Sequence, residues 1–107
     1  MKTDRLVYIC SPYHAESKEE LERNIRYARE LTREVILRED IPITPHLYIT
    51  QALNDNSQRE RHIGINAALK LLKKCDYILV GSRYGISGGM SGEIKRAGEL
   101  DIQTEYV

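Results

Sequence analysis

The chain carries no net charge: 16 Lys and Arg residues are matched by 16 Asp and Glu. A balanced surface offers no basic footprint for nucleic acid and none for an anionic membrane, so neither is expected as a partner. No apolar run approaches bilayer-spanning length. Met1-Lys2-Thr3-Asp4-Arg5 leads into only five apolar residues, too few for a secretory leader. The two cysteines, Cys10 and Cys75, form no CxxC pair. One ends an apolar run and the other precedes one, so both read as buried, reduced thiols. His14, His46 and His62 stand apart from one another, without cysteine or acidic pairs beside them, and no metal site is expected. Low-complexity tracts, internal repeats and linkers are absent. These features describe one small cytoplasmic domain spanning residues 1–107.

Apolar runs and helical periods alternate along the chain. Leu6-Val7-Tyr8-Ile9-Cys10 reads as a buried strand stopped by Ser11-Pro12. Ser17, with Glu20 three residues on, predicts the start of a helix. Leu21, Ile25, Ala28, Leu31 and Val35 then repeat at helical spacing through about Leu37. Ile41-Pro42-Ile43-Thr44 is a short strand, and its proline places it at a sheet edge. A third periodic segment runs from about Gln58 to Lys74, with Ile63, Ala67 and Leu71 as its apolar stripe and Ala68 and Leu72 beside it. Strand 76–80, a helix from about Gly88 to Leu100 and a last strand at Ile102 to Val107 complete the order. The expected architecture is α/β: a small doubly wound, flavodoxin- or Rossmann-like parallel sheet of about four strands with helices on both faces. Ligands of such sheets bind beyond the C-terminal strand ends. Three loops collect there: Ser11-Pro12-Tyr13-His14, Pro45-His46-Leu47-Tyr48 and Ser82 to Gly92.

The segment Gly85-Ile86-Ser87-Gly88-Gly89-Met90-Ser91-Gly92-Glu93 is a strand-to-helix turn. Glycines let a backbone approach a ligand, and a helix N-terminus favours anions. It has no Gly-Lys-Ser/Thr, and the spacing of its glycines misses the dinucleotide fingerprint, so no nucleotide cofactor is implied. Its plainer role is to let a helix pack closely. Glu93, one turn in and bordering the stripe Met90, Ile94 and Ala97, is the first candidate for chemistry.

Ser87 followed by Glu93, with Glu93-Ile94-Lys95-Arg96-Ala97 opening the helix, resembles the nucleoside 2-deoxyribosyltransferase superfamily, which includes deoxynucleoside 5'-monophosphate N-glycosidases. The likeness extends to Tyr8-Ile9-Cys10-Ser11-Pro12-Tyr13 and Cys75-Asp76-Tyr77-Ile78-Leu79-Val80. Pro45-His46-Leu47 and Ile86 to Ile94 are similar to segments of small bacterial and phage proteins of that group. The resemblance implies cleavage or transfer at the N-glycosidic bond of a (deoxy)nucleoside or its monophosphate. Glu93 would be the nucleophile, and Ser87 would touch sugar or phosphate. Tyr8 or Tyr13 would orient the carboxylate or stack on the base. Ser11, Pro12, Tyr13, Ser87, Gly89 and Met90 would line the pocket with Tyr8. The enzymes place an aspartate on the helix before the third strand, where this chain has Ile65-Asn66-Ala67-Ala68-Leu69. His46, whose imidazole is of a type that titrates near neutrality, is the candidate to replace it as acid/base; its plainer reading is a proline-flanked histidine at a strand end, hydrogen-bonded to backbone. The alternative is a non-catalytic nucleotide-binding sensor. The resemblance also implies a homodimer, with a small-molecule nucleoside or nucleotide as ligand.

Overall fold

The computed structural model describes residues 4–107; Met1 to Thr3, the start of the segment read above as no leader, lie outside the described residues. The elements run β1 (Leu6–Cys10), α1 (Lys18–Leu37), β2 (Ile41–Ile43), a 3-10 turn (Pro45–Leu47), α2 (Ile49–Ala52), α3 (Gln58–Lys73), β3 (Tyr77–Val80), α4 (Gly88–Glu99) and β4 (Gln103–Tyr106). All strand pairs are parallel, in the order β2-β1-β3-β4. The two continuous apolar runs, β1 and β3, take the centre, where both faces are covered. Pro42 lies on one edge, as its missing N–H requires, and the more polar β4 forms the other.

The step from β1 to β2 runs one way along the sheet, and the steps to β3 and β4 run the other. Crossovers of one hand therefore put α1 on one face and α3 with α4 on the opposite face. Strand alternation divides the core accordingly. Val7, Ile9, Tyr77 and Leu79 meet Tyr27, Leu31 and Val35 of α1. Tyr8, Cys10, Ile78 and Val80 meet Leu72, Met90 and Ala97. Both cysteines are free and buried. No helix among the described residues is long and apolar enough to cross a membrane.

Each long helix starts on a serine cap. The hydroxyl oxygens of Ser17, Ser57 and Ser87 accept from the backbone N–H of Glu20, Glu60 and Met90. These caps satisfy donors that the helix leaves unpaired. Of the stripe expected on α3, Leu71 packs against the core, Ala67 is half-buried and Leu72 beside them is fully buried, whereas Ile63 is 45% exposed. The reason is a close crossing at Gly64. A Cβ there would lie 3.0 Å from Leu53 Cδ1, so this end of α3 meets the residues around α2 through its glycine and leaves Ile63 outside. On α1, Asn24 and Tyr27 join the buried face beside Ala28, Leu31 and Val35.

Strand order reverses between β1 and β3. The C-terminal ends of those two strands are thus the crevice where doubly wound sheets hold ligands.

Candidate functional site

Glu93 projects from the second turn of α4 toward the sheet. Tyr8, fully buried on β1, donates its hydroxyl to Glu93 Oε2. Alternation along β1 puts Cys10 on the same face as Tyr8, and its thiol reaches Met90 O at 3.8 Å. Burial pushes the Glu93 carboxyl above its usual range, while the Tyr8 hydroxyl and the Cys10 thiol pull the other way. Burial and the adjacent carboxylate both raise the Tyr8 phenol, so it stays a donor. The outcome is a carboxylate withdrawn from bulk water, fixed by one phenol and still partly exposed.

The α4 N-terminus beside it is bare. A Cβ on Gly88, Gly89 or Gly92 would meet nothing within 4 Å. Close packing within the chain therefore requires none of the three, which removes the plainer role for the turn. Gly85 alone of the turn's glycines sits at positive φ, 88°. Gly81 differs: its Cβ would lie 2.5 Å from Leu31 Cδ1 and 2.7 Å from the Tyr27 hydroxyl. Glycine inside a helix costs about 1 kcal/mol relative to alanine. Gly89→Ala is expected to stabilise the free protein by about 0.5–1 kcal/mol and to weaken whatever binds against the turn. Chemical denaturation and ligand titration on the same sample check both signs.

The second cluster joins the loops after β1 and β2. His46 Nε2 lies 3.0 Å from Ser11 O. A carbonyl only accepts, so Nε2 carries the hydrogen and donates. Burial lowers the imidazole from its usual value, leaving Nδ1 bare. Nδ1 and the Ser11 hydroxyl are both buried without a hydrogen-bond partner. The Tyr13 ring stacks on His46 with centroids 5.0 Å apart and planes 22° from parallel.

The residues read from the sequence thus divide into groups. Tyr8 and Glu93 come together, as do Ser11, Tyr13 and His46. Ser87 is occupied as the α4 cap, and Gly89 is open. Pro12 is buried, and Met90, expected in the pocket, packs in the core at 1% exposure. Helical spacing had already put Met90 on the buried stripe. Asn66 is exposed on α3. Asn24, which the sequence pattern did not single out, is buried and donates to Tyr13 O at 3.2 Å. Two surface grooves lie elsewhere, one of 310 Å³ along α1 and one of 640 Å³ along α3. Among the described residues no group of three or more His, Cys, Asp or Glu could hold a metal ion.

A family described as a domain of unknown function, DUF7768, matches residues 5–107. The chain belongs to that family. No curated protein matches it by sequence. Among solved structures it is similar to the 2-deoxyribosyltransferase of the psychrotolerant bacterium Bacillus psychrosaccharolyticus, with a TM-score of 0.74 at 14% identity over 94% of this chain and 70% of that one. It is also similar to the 2-deoxyribosyltransferase of Leishmania mexicana, with a TM-score of 0.59 at 17% identity over 95% of this chain and 63% of that one. At these identities the likeness is one of fold: the DUF7768 chain has the α/β architecture of those structures and spans about two thirds of their length.

Proposed function

We propose that the chain is a cytoplasmic nucleoside- or nucleotide-binding domain that cleaves or transfers at an N-glycosidic bond, with Glu93 as nucleophile. One observation carries this reading: a carboxylate partly withdrawn from water and held by the Tyr8 hydroxyl, beside a turn whose Gly88, Gly89 and Gly92 have open space where a Cβ would stand among the described residues. Glu93 attacks the anomeric carbon of the deoxyribosyl group and forms a glycosyl ester as the C–N bond breaks and the base leaves, taking its proton from water. Water or a second base then takes the sugar and regenerates the carboxylate. Tyr8 orients the attacking oxygen and stays protonated throughout. Incubation with a panel of deoxynucleosides and their 5'-monophosphates, with released base read by chromatography, tests the proposal. Release of no base from any of them would refute it.

His46 enters this reading through its ring: the Tyr13–His46 stack gives a planar base an aromatic neighbour. Tyr13→Ala is expected to weaken binding of a 2'-deoxynucleoside about 10-fold, since stacking of a base on an aromatic ring is worth about 1–3 kcal/mol. Calorimetric titration with both proteins carrying Glu93→Gln reads the ratio without turnover.

A specific observation favours a second reading, a sensor that binds without cleaving. Asn66 stands on α3 where the resembled enzymes use an aspartate, and His46 offers no proton from Nδ1. Ligand-induced thermal stabilisation without base release would select that reading. In either case a homodimer is proposed, with Ile63 and Ile65 on α3, 45% and 49% exposed, as apolar surface available for it.

A further inference from the structure

Two adjacent residues of α1 connect the loops that carry the two halves of the site. Tyr84, in the loop between β3 and α4, has its ring 3.9 Å from the Arg23 guanidinium. The other face of the problem is Asn24: Arg23 Nε and Nη2 both donate to Asn24 Oδ1, at 3.2 and 2.9 Å. Asn24 Nδ2 in turn donates to Tyr13 O at 3.2 Å, and the Tyr13 ring lies on His46. Contacts therefore run unbroken from the loop that opens α4, through α1, to the loops that follow β1 and β2.

The fold does not need a polar group at this point. Tyr27, Leu31 and Val35 already close the α1 face of the sheet. Asn24 is 1% exposed, and a buried amide is favourable only when its donors and acceptors are paired. Its pairing here is with the main chain of one loop and with the side chain that stacks on the other. Arg23 is suited to that double task, because a guanidinium offers a flat face for an aromatic ring and an edge of donors for an oxygen.

We propose that Arg23 and Asn24 are positioning residues that hold the Ser11–Tyr13 loop and the Tyr84-bearing loop in one register, so that the Tyr13–His46 rings and the glycine turn next to Glu93 meet the same ligand. The ligand's identity rests on the nucleoside reading above; the coupling between the loops does not.

The test uses the full chain with tyrosine and histidine rings isotopically labelled. Tyr84→Leu, Arg23→Lys and the double variant are compared with wild type. Ser82→Ala is the control, because Ser82 lies on the same loop but its hydroxyl donates to Val107 O, away from the relay. Both single variants are expected to shift the ring signals of Tyr13 and His46, and the double variant to shift them no further than the larger single, as residues acting in series do. Affinity for a 2'-deoxynucleoside is expected to fall about 3-fold or more at a temperature where every variant is fully folded, the melting temperature itself falling as Asn24 Oδ1 and the Tyr27 ring lose partners. Unmoved Tyr13 and His46 signals, equal shifts in Ser82→Ala, or variants that bind as tightly as wild type would each overturn the proposal. Coupled rings in a protein that binds no nucleoside at all would support the relay and refute the nucleoside reading instead.

Discussion

Glu93→Gln is expected to lower base release by at least about 10³-fold, because removing a catalytic nucleophile leaves only binding and surrounding electrostatics to act. The amide keeps an oxygen where Tyr8 donates, so the local geometry survives while the nucleophile is lost. Unfolding does not explain the loss. The Glu93 carboxyl is raised in the folded protein, chiefly by burial. A group raised on folding favours the folded state below its unfolded pKa, and that contribution disappears as pH rises through the folded value. Near neutrality the charge is therefore a net cost to stability, and the glutamine variant is expected to be more stable than wild type there. On the acid side the gain vanishes. The same shift fixes the pH dependence of wild-type activity. The attacking group must be ionised, so the acid limb of kcat/KM is expected above 4.5, the ordinary value for the group. Chromatographic rates and denaturant melts across pH check these statements on the same samples.

Gly81→Ala carries the largest expected loss of stability. The added methyl would sit 2.5 Å from Leu31 Cδ1, 2.7 Å from the Tyr27 hydroxyl and 2.9 Å from Tyr27 Cε2. Leu31 can give by rotating its end, but Tyr27 is only 3% exposed and its hydroxyl accepts from Arg83 N at 3.3 Å. Overpacking of this kind costs about 1–3 kcal/mol. The shift also unseats the loop that leads to α4, because Tyr27 stands edge-on to Tyr84 with ring centroids 5.2 Å apart. The expectation is a lowered midpoint in urea together with weakened ligand binding. This contrasts with Gly89→Ala, where the free protein gains stability. Opposite signs at two glycines only eight residues apart would separate a glycine kept for internal packing from one kept for an external contact.

Much of the architecture could be read from local pattern. β1 and β3 are unbroken apolar runs, and only a doubly covered parallel strand accounts for both. Ser17 and Pro42 marked a helix start and a sheet edge through chemistry that acts within a few residues. The exposure of Ile63 was hidden, because it depends on Gly64 meeting Leu53, a contact between elements. Asn24 was hidden for a related reason: its partner is the Tyr13 carbonyl, and main-chain acceptors leave no trace in a sequence. Glu93 stood out through its place beside the glycine turn, and Tyr8 through the resemblance, but their meeting needed the strand and the helix to be laid together. The plainer reading of His46, a hydrogen bond to backbone, holds, but which carbonyl accepts it, and hence the tautomer, needed the loops after β1 and β2 to be laid together.

The most direct measurement is the mass of the peptide carrying Glu93 after rapid acid quenching of the protein with a 2'-deoxynucleoside that it cleaves. An ester-linked deoxyribosyl group on Glu93, absent from the glutamine variant, is the predicted result. Base release at an undiminished rate by Glu93→Gln, with no sugar on that peptide, would contradict it.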